Sequence, residues 1–243
     1  MSSRIWTPRA VASSARAGRA ALWRAVEAQH VVATMALVDS LDEQLVLERL
    51  LDESKPPLPE GAAGLHYLLF TLFRYAPPPG GSRFRAPNDP GVFYGADEVR
   101  TACAELGYWR WRHLLDTPAL SAMPSRPQTV FRTRIAGATV DLREPPFARD
   151  RAAWTNPSDY AECQRFAAVA READVAAIRY ESVRDPRHGG CCAVLALAAF
   201  AKPAPVEWQT WTLSVTRDRV VWQRSDPVRA EAFEFEATAF AHA

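Results

Sequence analysis

The segment at residues 76–98, APPPGGSRFRAPNDPGVFYGADE, limits this chain more than any other. Its opening prolines and glycines cannot sit inside a helix or a central strand, because proline has no amide proton and glycine loses too much backbone entropy. A loop is forced, followed by a short extended piece at residues 91–94. The apolar run before it, GLHYLLFTLFRY, must therefore be self-contained, and its length and aromatic content fit a buried strand or a short helix equally. After the loop, Asp97 reads as the cap of a helix in which Val99, Ala102, Cys103, Leu106 and Trp109 keep a three-and-four spacing to about His113.

The same reading extends to both ends. Residues 1–25, rich in Ser, Ala and Arg, look like a mobile or helical lead-in. A helix starts at Ser40, with Glu43 completing a capping box and Leu41, Leu45, Leu47, Leu50 and Leu51 as its apolar face; Pro56 and Pro57 stop it by Lys55. Five leucines on one face are expected to pack on the domain rather than to mediate self-association or hold a partner. Downstream, VFRTRI alternates as a half-exposed strand does, and residues 138–142 can pair back on it across Gly137. Asn156, Pro157 and Asp159 open a helix to about Ala173. Residues 175–180, 192–197, 208–215 and 220–223 read as strands. The expected architecture is one α/β or α+β domain with a helical amino-terminal layer, divided as residues 1–60 and 61–243.

Composition removes several classes of function. A hydrophobic share of 48% and a charged share of 23% exclude disorder, fibres and disulfide miniproteins. A formal net charge of +1 gives no global field for nucleic acid or anionic membrane, so neither is expected as a partner. Residues 191–201, the longest uncharged apolar run, are far short of the roughly 20 residues that cross a bilayer. Arg4, Arg9, Arg16, Arg19 and Arg24 interrupt any secretory signal. The four cysteines form no CxxC pair, which suits a reducing cytoplasm. His188, Cys191 and Cys192 are the one hint of metal, and with no second ligand pair none is expected. Only Lys55 and Lys202 are lysines; the arginine excess reflects either base composition in the gene or a site that grips planar anions.

GxSxG, P-loop and GxGxxG signatures are all absent. Polar residues instead gather where strands give way to helices or loops: Arg83 and Arg85, Tyr94, Glu105, then Ser182 and Arg184. SRFRAPNDPGVFYGADEVRTACAE (residues 82–105) and AAIRYESVRDP (residues 176–186) together resemble the two blocks of the RES-domain family, named for its Arg, Glu and Ser. The resemblance spans about residues 65–215. It implies an ADP-ribosyltransferase-like α+β fold, a mixed or antiparallel β core with flanking helices. It also implies an enzyme that degrades NAD+, by phosphorolysis with inorganic phosphate or by hydrolysis, acting as a toxin paired with an Xre-type antitoxin.

By motif matching, Arg83, Tyr94, Glu105 and Ser182 take the family's functional positions. The chemistry suits them. Nicotinamide leaves as a neutral base, so the step needs stabilisation of an oxocarbenium-like ribose, which a carboxylate such as Glu105 supplies. A guanidinium fork grips pyrophosphate, with Arg83 and Arg85 as rivals. Tyr94 is placed to stack on nicotinamide, and Ser182 to orient the leaving group. Glu98, seven residues before Glu105 and on nearly the same helix face, is the rival acid. Arg74 and Arg184 are second-tier cations for an acceptor phosphate. The open alternatives are ADP-ribosyl transfer to a macromolecule and a non-catalytic binding module.

Overall fold

The computed structural model describes residues 6–28 and 37–241; the first five residues of the expected lead-in lie outside them. The strands are β1 (Arg16–Glu27), β2 (Phe93–Ala96), β3 (Ala122–Asp141), β4 (Ala177–Glu181), β5 (Gly190–Val194), β6 (Glu207–Thr216), β7 (Arg219–Arg224) and β8 (Ala232–Glu236). They form one mixed sheet in the order β1-β2-β5-β4-β3-β6-β7-β8, with β1 also paired to β3. That extra pairing closes a ring, because the path from β1 through β2, β5, β4 and β3 returns to β1. Thr139 marks the closure: it faces Arg16 of β1 on one edge and Ala177 of β4 on the other.

Within the ring β3 and β4 run parallel and the remaining pairs are antiparallel. Parallel neighbours need a long crossover. Helices supply it: α5 (Arg151–Trp154) and α6 (Ala161–Glu172) lie between β3 and β4. The others are α1 (Pro8–Ser14), α2 (Leu41–Glu53), α3 (Tyr67–Arg74), α4 (Val99–Leu115) and α7 (Ala237–Ala241). The whole is an α+β fold with a large mixed sheet and several flanking helices. Two apolar clusters hold it, one with Leu22, Phe93, Phe131, Val194 and Phe200, the other with Trp23, Phe84, Cys103, Phe166, Trp211 and Trp222.

Several expectations need correction. The amino-terminal segment is not a helical layer: after one short helix it becomes β1, whose twelve residues pair with β3 from Arg16–Thr139 to Glu27–Gln128. Ala and Arg favour helix locally, but the alternating burial of Leu22 in one cluster and Trp23 in the other is available only when β3 lies alongside. Residues 130–142 do not form a hairpin. All but Leu142 belong to the single 20-residue strand β3. A reversal needs at least two turn residues, and Gly137 alone, at φ 150°, only lets the strand bend through.

A Cβ on Gly137 would meet the Cβ of Ala176 at 2.8 Å, where Ala176 donates its amide to Ala138. Gly137→Val should therefore lower stability by about 1–3 kcal/mol, read as a drop in the urea midpoint with unchanged slope. A midpoint equal to the parent's would show that the close approach is not a constraint.

Helix α2 starts where the capping box predicts, with Ser40 Oγ accepting from the Glu43 amide at 3.2 Å and the Glu43 carboxylate accepting from the Asp39 amide at 2.9 Å. Its leucines, however, do not pack on the domain: Leu41, Leu45, Leu50 and Leu51 are exposed. Within residues 64–75, Tyr67–Arg74 is helix α3, capped by the His66 ring, which accepts from the Leu68 amide. Asp97 is no cap, since Glu98 holds that position and Asp97 accepts from Arg179 at 2.6 Å instead. Strand β8, in which Phe233 and Phe235 alternate with Glu234 and Glu236, and helix α7 add to the expected elements.

Candidate active site

A cavity of about 340 Å³ is lined by Ala102, Glu105, Leu106 and Trp109 of α4 together with residues of β1, β2, β4 and β5. Arg83, Tyr94, Glu105 and Ser182 converge on it from four different elements. Arg83, Tyr94 and Glu105 line the cavity directly; Ser182 stands behind Glu105.

Each is held by local structure. Arg83 sits in a tight turn closed by reciprocal backbone bonds between Ser82 and Arg85, at 2.8 and 3.1 Å. Gly81 enters this turn at φ 72°, and a Cβ there would lie 2.2 Å from the Arg85 carbonyl oxygen, so only glycine fits. Tyr94 on β2 pins the same turn: its hydroxyl pairs with Ser82 Oγ at 2.7 Å and accepts the Phe84 amide at 2.9 Å. Burial pushes its pKa up to about 12, so it stays a neutral phenol throughout the physiological range.

Ser182 follows β4 and uses its full hydroxyl inventory. It donates to Glu105 Oε1 at 2.6 Å and accepts from the amides of Arg184 and Asp185 at 3.2 and 3.0 Å. With one proton and two lone pairs so used, the proton must point at the carboxylate. Ser182 thereby orients the Glu105 carboxylate. The Cys191 thiol lies 3.8 Å from the same carboxylate oxygen. Burial drives its pKa well up, so it remains S–H and a weak second donor.

Three arginines, Arg83, Arg184 and Arg24, line the same cavity as this carboxylate. Arg83 directs Nη1 to the Trp154 and Asn156 carbonyls, at 2.8 and 2.9 Å, and lies 4.7 Å above the Tyr160 ring. Arg184 lies 3.8 Å above Tyr108 and donates from Nη2 to Tyr160 Oη at 3.0 Å; its buried Nη1 has no hydrogen-bond partner. Arg24, on β1, donates to the Tyr94 carbonyl at 2.6 Å. Burial lowers its pKa to about 10, which still leaves it charged at neutral pH.

Arg24 was missed because its strand was read as a lead-in. No local signal marked it, since ALWRAVE does not alternate apolar with polar residues. Two other candidates fall outside the cavity. Arg85 donates to the Asp89 and Leu72 carbonyls, and Arg74 to the carbonyl of Pro56. Both satisfy backbone carbonyls, on the loops at Pro56 and Asp89 and in the last turn of α3 at Leu72. Glu98, at the head of α4, is likewise not part of the lining. Glu181 points away from Tyr180, as the pleat requires, and pairs with Arg151 and His188.

A cavity with one carboxylate, three arginines and walls of Trp23, Tyr94, Trp109, Tyr160 and Tyr180 suits a planar, anionic ligand with a hydroxylated linker. The RES domain model matches residues 58–216. The chain therefore belongs to the RES-domain family, and the match contains Arg83, Tyr94, Glu105 and Ser182 but leaves out β1 and Arg24. The crystal structure of the M. tuberculosis MbcT-MbcA toxin-antitoxin complex is similar at 11% identity and a TM-score of 0.48, covering 96% of this chain and 94% of that one. No curated protein sequence matches the chain.

Proposed function

We propose that this protein is an NAD+-degrading enzyme on an ADP-ribosyltransferase-like scaffold, and that it is the toxin of a toxin-antitoxin pair whose partner is an Xre-type protein. The observation that carries the reading is the convergence of a serine-oriented carboxylate, Glu105, with Arg83 and Tyr94 in one cavity. The bond that breaks joins nicotinamide nitrogen to the ribose anomeric carbon. Its electron pair leaves with the nitrogen, which becomes neutral, and no proton donor is needed. Positive charge develops on the ribose, where Glu105 stabilises it and grips a ribose hydroxyl.

An acceptor oxygen then bonds to the anomeric carbon. Phosphate gives ADP-ribose 1''-phosphate; water gives ADP-ribose and releases a proton. The arginines hold the pyrophosphate, and their number supports a second anion as acceptor, because a site already holding a dianion needs further positive charge to admit phosphate.

The test is incubation of the purified protein with NAD+, with and without inorganic phosphate, with products identified by chromatography and phosphorus resonance. Turnover only with phosphate establishes phosphorolysis, and ADP-ribose in both buffers establishes hydrolysis. Intact NAD+ in both, from folded protein free of any partner, overturns the enzymatic reading.

A further inference from the structure

The cavity has an aromatic group that neither the bond cleavage nor the anion grip uses. Trp109 lines it, yet is 54% exposed, more than any other tryptophan among the described residues. Single exposed apolar side chains are ordinary. This one is distinguished by its place. It follows Glu105 by one turn of α4, about 6 Å along the axis. Its neighbour Tyr108 packs on it in a T-shaped contact with ring centroids 5.2 Å apart.

The connected groups run in a fixed order. Glu105 bonds to Ser182 at 2.6 Å, Ser182 accepts the amide of Arg184 at 3.2 Å, and the Arg184 guanidinium lies 5.8 Å from the Trp109 ring. The sequence of chemistries is carboxylate, guanidinium with an unpaired buried Nη1, then open aromatic face. A dinucleotide presents the matching series: scissile ribose, pyrophosphate, second nucleoside.

We propose that Trp109 is the adenine subsite, stacking the purine of the bound dinucleotide at the cavity mouth while Arg184 holds the adjacent phosphate. The proposal rests on the NAD+ reading and adds to it what selects a dinucleotide over a mononucleotide. Nicotinamide does not occupy this face, because it is bonded directly to the carbon that faces Glu105. Stacking of a base on an aromatic side chain is tolerant of orientation and needs no hydrogen-bond readout.

The experiment compares Trp109→Ala and Trp109→Phe with the parent on NAD+ and on nicotinamide mononucleotide, which lacks the adenosine. Trp109→Ala should raise KM for NAD+ about tenfold with kcat within about twofold, a size expected for the loss of one stacked base. KM for the mononucleotide should be unchanged, and Trp109→Phe should restore most of the NAD+ value. An equal shift on both substrates, or none on either, overturns the proposal. Calorimetric titration with ADP separates this result from failure of the enzymatic reading, since it needs no turnover. Weaker ADP binding in Trp109→Ala, alongside parent-like binding in Trp109→Phe, supports the subsite even if NAD+ stays intact. Equal ADP affinity in all three proteins, or no ADP binding by the parent, overturns it.

Discussion

Glu105→Gln should reduce NAD+ cleavage by about 10³-fold, or roughly 4 kcal/mol of transition-state stabilisation, with the fold unchanged. The amide oxygen of glutamine still accepts the Ser182 hydroxyl, so the 2.6 Å contact survives, and so does the hold of Ser182 on the amides of Arg184 and Asp185. Only the negative charge is lost. That charge matters little in the resting protein and greatly when the ribose becomes cationic, which is why the effect should fall on kcat more than on KM. The measurement is steady-state turnover of NAD+ beside circular dichroism of both proteins. A variant with parent-like turnover removes Glu105 from the chemistry, and a non-catalytic binding module would show no difference in ligand affinity.

The largest effect on stability is expected at Asp185, which lies outside the cavity. It is 2% exposed and ion-paired to Arg100, and it accepts from Thr101 Oγ1 at 2.8 Å and from the Arg187 amide at 3.1 Å. Its own amide donates to Ser182 Oγ. Asp185 therefore joins the head of α4, which carries Glu105, to the turn that carries Ser182. Asp185→Ala leaves Arg100 without its counter-charge and the fully buried Thr101 without an acceptor. Breaking such a pair from one side costs about 3–5 kcal/mol, a large share of the roughly 5–15 kcal/mol that holds a typical domain. Urea unfolding should show it as a large fall in midpoint. A loss below about 1 kcal/mol would mean that the pair does not couple the two elements.

How far the molecule could be read in advance varied with the range of the interactions. The helix at α4 was legible because Val99, Ala102, Cys103 and Leu106 repeat at the helical period, and β6 because it alternates within a few residues. Glu105 could be placed because it sits on that helix, and Tyr94 because it ends the short extended piece after the proline loop. Arg83 could not be told from Arg85 by pattern. The two differ only in which carbonyls surround them: those of Trp154 and Asn156 for one, those of Leu72 and Asp89 for the other. Those carbonyls lie at helix ends and on loops whose positions no local rule supplies. Arg24 and Trp109 were out of reach for the same reason, since one belongs to a strand stabilised by a partner a hundred residues away and the other gains meaning only from the cavity beside it.

Local chemistry alone determined that this chain has a proline-forced loop at residues 76–90 and a following helix that carries an acid, both of which follow from steric limits and side-chain periods that act over a few residues. The family was legible only as a resemblance of two polar blocks to those of the RES domain, whose model matches residues 58–216. Tertiary structure decided that the amino-terminal segment is a strand closing a ring, that the proton of Ser182 belongs to Glu105, and which arginines face the cavity. Each depends on pairing and burial between segments far apart in sequence, where the free energy is set by what packs alongside and not by the residue itself.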